Sequence, residues 1–256
     1  MTEARELFSL NGRTAVVTGA SRGLGQAMAI ALAEAGADVV CVSTTVEGSN
    51  DTATEIRTIG RKAWQLASDL SDRSAAAGLP EQCHAEAGDV DILVNNAGTI
   101  RRHPAAQFPL EDWDVVLRTN LDSVFLLSQR FGQKMIERGS GKIINVASLL
   151  SFSGGVTVPA YTASKHAVAG LTKALANEWG KHGVQVNAIA PGYFKTDNTT
   201  ALQQDATRHA EISARIPAAR WGDAKDLAGP VVFLASRASD YVNGHVLVVD
   251  GGWMAR

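Results

Sequence analysis

Thr14-Ala15-Val16-Val17-Thr18-Gly19-Ala20-Ser21-Arg22-Gly23-Leu24-Gly25 is the stretch from which the fold follows. A short β-branched run, the mark of a buried strand, passes directly into a loop with glycine at 19, 23 and 25. Residues 23–36 then read as a helix. Glycine allows such a turn to be tight and lets a ligand come close to the backbone. The uncovered N–H groups at the helix start, together with the helix dipole, suit the pyrophosphate of a dinucleotide. The spacing is not the GxGxxG of other dinucleotide folds, so its place directly after the first strand carries as much weight as the glycines. Gly19, Ser21, Arg22, Gly23, Leu24 and Gly25 are therefore expected to hold a cofactor.

Outward from that unit, apolar β-branched runs recur at 38–43, 91–95, 142–147, 184–189 and 245–249. Their nearly continuous apolar character, without in/out alternation, fits strands covered on both faces, the habit of a parallel sheet. A second, longer helix is expected over 111–138, stopped by Gly139. Strand and helix in alternation predict the α/β class: a single-domain, doubly wound parallel sheet of Rossmann type with helices on both faces. One dinucleotide-binding and catalytic domain is expected over 1–256, with ligands at the carboxyl ends of the strands. The polar, helix-prone stretch 196–216 follows a loop and is the candidate substrate lid.

The chain has 256 residues, 45% hydrophobic, enough for one sizeable core. Its formal net charge of -2 offers no field for a polyanion or an anionic membrane, so neither nucleic acid nor membrane is an expected partner. The start, MTEARELFSL, lacks the apolar core of a signal peptide. Two cysteines without a CxxC pair fit a reducing cytoplasm. Six histidines are scattered without metal-ligand spacing, and no metal is expected.

Where many dinucleotide sites carry an acid for the ribose 2′-OH, at the end of the second strand, this chain has Ser43 followed by Thr44. With no carboxylate to repel a 2′-phosphate, and Arg22 able to pair with one, the cofactor is NADP or NAD with a lean to NADP. Ser148 follows the run at 142–147, and Tyr161 and Lys165 stand four residues apart, on one face of a helix. A cation beside a phenol favours the phenolate, which would bring a tyrosine of ordinary pKa near ~10 towards working pH. Ser148 would hold the substrate oxygen within reach of that phenol. Each residue alone has a bland role as a turn cap, a packed ring or a surface charge; together, downstream of a cofactor loop, they point to catalysis.

These residues resemble the short-chain dehydrogenase/reductase family over nearly the whole chain. Thr18-Gly19 with Gly23 and Gly25 resembles its cofactor motif, Asn95-Asn96-Ala97-Gly98 its NNAG element, Ser148, Tyr161 and Lys165 its active site, and Pro191-Gly192 its turn under the nicotinamide. The resemblance implies that Asn95, Ala97, Gly98, Tyr161, Lys165, Pro191, Gly192 and Thr196 contact the cofactor. It further implies that Asp69 and Leu70 lie beside the adenine, and that Asn120 is a fourth catalytic residue supporting a water relay from Lys165. Asn120 also interrupts an apolar helical stripe of Trp113, Val116, Val124 and Leu127.

Segments such as Ile100-Arg101-Arg102, Asn177-Glu178-Trp179 and Asp250-Gly251-Gly252-Trp253 resemble 2-deoxy-D-gluconate 3-dehydrogenases, with gluconate 5-dehydrogenases close behind. They imply a small sugar acid whose secondary alcohol is reversibly oxidised to a ketone. Arg101 or Arg102, after the NNAG element, would bind its carboxylate, and Tyr193 and Asn198 its hydroxyls. Two alternatives remain at this stage: a 3-oxoacyl-carrier-protein reductase, which the Arg22 loop also resembles, and a non-catalytic dinucleotide-binding sensor. Ala163, Ala167, Gly170 and Ala174 form a small-residue face that would let a second helix approach, and with the resemblance this implies a homotetramer.

Overall fold

The computed structural model describes residues 3–256, apart from the side chains of Glu3 and Asn198. Seven strands, β1 (Thr14–Thr18), β2 (Asp38–Ser43), β3 (Ala63–Ala67), β4 (Ile92–Asn95), β5 (Gly141–Val146), β6 (Val184–Pro191) and β7 (Val246–Val249), form one sheet. Its order is β3-β2-β1-β4-β5-β6-β7, and every pairing is parallel. The helices are α1 (Glu3–Leu7), α2 (Gly23–Glu34), α3 (Asn50–Thr58), α4 (Arg73–Ala87), α5 (Leu110–Leu117), α6 (Ser123–Arg138), α7 (Pro159–Trp179), α8 (Thr200–Gln204), α9 (Ala206–Arg215) and α10 (Ala228–Ala235).

Six of the seven strands lie where the apolar runs predict, with ends shifted by one or two residues. The additional one, β3, is an edge strand of half-buried residues, Ala63-Trp64-Gln65-Leu66. Covered less than its neighbours, it has no continuous apolar run to betray it. Within β1, Ala15 and Val17 enter the core under α2 and α10, while Val16 enters the opposite core under α4 and α6. Burial on both faces explains the unbroken apolar reading.

The helix expected over 111–138 is continuous but not uniform. A π-helical turn, Arg118–Asp122, joins α5 to α6, and Gly139, with φ of 74°, closes the far end. Sequence periodicity does not reveal such a turn, since it inserts only a fraction of a residue per turn. Because β2 and β3 lie on one side of β1 and β4 to β7 on the other, the chain reverses direction between β1 and β4. The crevice at their carboxyl ends is the ligand position of such sheets.

Candidate active site

A cleft of about 460 Å³ opens at that reversal, bordered by the glycine loop, by Asn96, Ala97 and Gly98 after β4, by Tyr161 and Lys165 of α7, and by Lys195, Thr196 and Asp197. A larger space of about 630 Å³ lies at the opposite, amino ends of the strands. It holds none of the expected catalytic residues, its charges pair internally as Arg13 with Asp91 and Lys142 with Asp240, and it is set aside on chemistry.

The glycine loop is shaped by contact. Gly19 and Gly23 have φ of 66° and 60°, and a Cβ on Gly25 would run into the Gly19 carbonyl and Asn96 Nδ2. Thr18 Oγ1 accepts from the N–H groups of Asn96 and Ala97, both at 3.0 Å, and Asn96 Nδ2 donates to Thr18 O at 2.9 Å. The loops after β1 and β4 are thereby tied into one wall. Arg22 stands at the N-cap of α2 and gives it no side-chain hydrogen bond, so the amino end of that helix faces the cleft with its N–H groups uncovered by a cap. A nicotinamide dinucleotide fits this cradle: Gly19, Ser21, Gly23, Leu24 and Gly25 would hold the pyrophosphate, and Ala97, Gly98 and Thr196 border the same space.

Arg22 Nε lies 2.7 Å from Asp197 Oδ2, so the glycine loop and the first residues of the expected lid meet across the cleft mouth. The lid itself is two short helices, α8 and α9, seated by Ile212 and Ile216 on Trp221 and Trp253. Tyr193 packs in the same cluster, edge-on to Trp221 and tilted against Trp253. The side chain of Asn198 lies outside the described residues.

Ser148, Tyr161 and Lys165 come together. Ser148, at the turn after β5, hydrogen-bonds the Tyr161 hydroxyl, and its Oγ also accepts from Leu150 N at 3.2 Å. Lys165 is only 4% exposed; its Nζ donates to Val146 O at 2.6 Å and sits 5.6 Å from the Tyr161 ring centre. Burial drives the Lys165 pKa down to about 8.

The Tyr161 phenol differs from the expectation. Burial pushes its pKa up, and the opposing pulls come from the Ser148 hydrogen bond and the charge of Arg102 rather than from Lys165. A low-dielectric wall penalises phenolate and ammonium alike, which sequence spacing does not register. A phenol so placed stays protonated at neutral pH, as a proton donor to a ketone oxygen must.

Asn120 is buried in the π-helical turn behind this trio. Its Oδ1 accepts from Thr99 N at 2.8 Å, and its Nδ2 donates to Thr99 O at 2.9 Å and to Ser164 Oγ at 3.2 Å. In this geometry it clamps the backbone after the NNAG element and contacts α7 through Ser164, the neighbour of Lys165.

Three groups of expected cofactor residues need separate treatment. The side chain of Asn95 does not reach the cleft: it is 3% exposed and donates to Ser128 Oγ and Asn145 Oδ1, so Asn96 borders the site instead. The alternating faces of β4 impose this, since a residue inside the strand end points into a core layer. Ser43, Thr44, Asp69 and Leu70 lie at or just beyond the carboxyl ends of β2 and β3, outside the cleft border. The Ser43 hydroxyl donates to Thr45 O at 2.6 Å, and Ser71 hydrogen bonds hold the Asp69 carboxyl below the usual carboxylate range. Pro191 ends β6, and Gly192 is required because a Cβ there would meet Asp250 Cα at 2.7 Å. Sequence reasoning did not single out Val146, Lys195 or Asp197, which also border the cleft; only contact across loops distant in sequence brings them there.

A nicotinamide cradle beside a Ser-Tyr-Lys trio at the reversal point of a parallel sheet defines a dehydrogenase, and the chain belongs to the short chain dehydrogenase family, which it matches over residues 13–207. As a member it is an NAD(P)-dependent oxidoreductase acting on CH–OH groups. It is 54% identical to 2-dehydro-3-deoxy-D-gluconate 5-dehydrogenase of Dickeya dadantii, over 97% of this chain and 98% of that protein. It is 43% identical to gluconate 5-dehydrogenase of Gluconobacter oxydans, over 96% of each. Among solved structures it resembles a gluconate 5-dehydrogenase from Burkholderia cenocepacia in complex with NADP and tartrate, with a TM-score of 0.95 and 41% identity, covering 99% of this chain and 100% of that one.

Among the described residues no group of three or more His, Cys, Asp or Glu could hold a metal ion, and no helix is long and apolar enough to cross a membrane.

Proposed function

We propose that the protein interconverts a secondary alcohol and a ketone on a small sugar acid of the gluconate or 2-dehydro-3-deoxy-D-gluconate type, with NADP preferred over NAD. The observation that carries this reading is Arg102: its charge acts on the Tyr161 hydroxyl, so a cation stands beside the reacting oxygen, where an anionic substrate would lie. The two curated relatives above act, by their names, on carbon 5 of such acids, which supports the same carbon here. The neighbour that binds NADP and tartrate supports both the cofactor and a dicarboxylate-sized ligand.

The bound nicotinamide supplies or accepts the hydride. Ser148 Oγ and Tyr161 Oη take the substrate oxygen between them, and in the reductive direction Tyr161 gives its proton to that oxygen as the alcohol forms. Lys165, as ammonium, favours the phenolate left behind and would bind the nicotinamide ribose. Arg102 takes the carboxylate, while Tyr193 and Asn198 offer contacts from the side of residues 196–216, which act as the lid. Arg101 is otherwise engaged, with its guanidinium on Asp112 and Thr99. Asn120 supports the site by fixing Thr99 and positioning water behind Lys165.

We place the protein in the cytoplasm as a homotetramer. Both cysteines are buried free thiols pushed up to about 12, as suits a reducing compartment, and Ala163, Gly170 and Ala174 of α7 lie exposed, open to a second copy. Turnover assays on a panel of sugar acids and their keto forms, with NADPH and NADH, test the substrate. Activity confined to uncharged alcohols or acyl thioesters would refute it.

A further inference from the structure

After the NNAG element the chain runs in an extended form whose side chains divide between two sides. Thr99, Arg101 and His103 turn towards α5 and α6, where Thr99 is clamped by Asn120. Arg101 Nε and His103 Nε2 both reach one carboxylate, that of Asp112, at 3.3 Å and 2.7 Å. Arg101 also donates to Thr99 Oγ1 at 2.9 Å, and the His103 ring stands edge-on to Phe108. The intervening Arg102 is the residue whose charge acts on Tyr161. Side chains of an extended chain alternate, so fixing positions 99, 101 and 103 on the helix side directs position 102 the other way.

Asp112 is suited to this hold. It lies in the first turn of α5, where the helix dipole favours a carboxylate, and its side chain is 28% exposed, so the pairs are partly shielded from solvent. His103 N–H donates at 3.0 Å to Thr157 O, and Thr157 has a left-handed φ of 64°, which a β-branched residue rarely adopts. The loop before α7, which carries Tyr161, is thus tied to the same segment.

We propose that Asp112 is a positioning residue for substrate specificity: by holding Arg101 and His103 together, its carboxylate aims Arg102 at the substrate carboxylate beside Tyr161. The proposal rests on the reading that Arg102 binds that carboxylate. It assigns the two adjacent arginines opposite duties, Arg101 as an internal strut and Arg102 as the ligand.

The test compares the best acid from the substrate panel with its neutral primary amide, in wild type, Asp112→Ala, Asp112→Asn and Arg102→Leu, with NADPH affinity followed by fluorescence. Asp112→Ala is expected to raise KM for the acid about tenfold, the scale of one charged hydrogen bond. It should leave kcat, KM for the amide and NADPH affinity within about twofold. Asp112→Asn keeps the side chain's shape and an acceptor oxygen, and is expected to fall between wild type and Asp112→Ala. If Asp112→Ala does not fold, Asp112→Asn is read by the same criteria. Should Arg102→Leu raise KM for the acid while the Asp112 variants leave it unchanged, the positioning role is wrong and the carboxylate reading stands. Should Arg102→Leu leave it unchanged, the carboxylate reading falls and this proposal with it. Equal losses on acid and amide, or a fall in kcat, would show a general structural role and overturn the proposal.

Discussion

Lys165 links the stability of the fold to pH through the group that the chemistry needs. It is 4% exposed, its Nζ rests on Val146 O, and burial brings its pKa from 10.5 to about 8. Below pH 8 both folded and unfolded chains carry the proton, and the folded state bears the full cost of the buried charge. Between pH 8 and 10.5 the unfolded chain holds more protons than the folded one, so stability rises with pH; above 10.5 the cost is gone. At about 1.4 kcal/mol per pH unit the whole effect is about 3 kcal/mol. Of this, about 2 kcal/mol should appear between pH 7 and 9.5. Lys165→Met keeps most of the apolar stem and removes the proton. Urea unfolding of the cofactor-free protein at both pH values, for wild type and variant, isolates the contribution, because every other titrating group is common to the two chains. Wild type is expected to gain about 2 kcal/mol more than the variant on going to pH 9.5. Equal gains within about 0.5 kcal/mol would refute the buried ammonium, since that margin is all that independent sites ordinarily contribute.

Tyr161→Phe removes the transferable proton and the Ser148 hydrogen bond while keeping the ring. Turnover should drop by about 10²–10⁴ with NADPH affinity nearly intact, and substantial residual activity would take Tyr161 out of the mechanism. Arg22→Leu should weaken NADPH binding by about 1.5–3 kcal/mol and NADH binding much less, as read by fluorescence titration. Equal losses would mean that Arg22 does not meet a 2′-phosphate. Gly25→Ala drives a methyl into the Gly19 carbonyl and Asn96 Nδ2. A stability loss of about 1–3 kcal/mol with abolished dinucleotide binding is expected in unfolding and binding assays, and a tolerant variant would show that the loop wall has slack.

The residues themselves determined the fold class and the chemistry. Strands buried on both faces must be apolar throughout, and a turn beneath a phosphate must be glycine-rich, so 14–25 and the runs after it announced a doubly wound sheet with a cofactor at its carboxyl edge. The spacing of Tyr161 and Lys165 needed only one helix to put them on a common face. The tertiary structure decided whatever depends on neighbours remote in sequence. Half-buried β3 became a strand because β2 offered it an edge. Asn95 turned into the core and left Asn96 to the cleft. The direction of the Tyr161 pKa followed from the density of protein around it rather than from a lysine four residues away. Arg101 and Arg102, indistinguishable as a pair of letters, were separated by an acid eleven residues beyond the first, because Asp112 enters α5 beside one of them while the other lies near Tyr161. Local propensity and periodicity are written along the chain, whereas burial, dielectric and the partner of a charge exist only once distant segments meet.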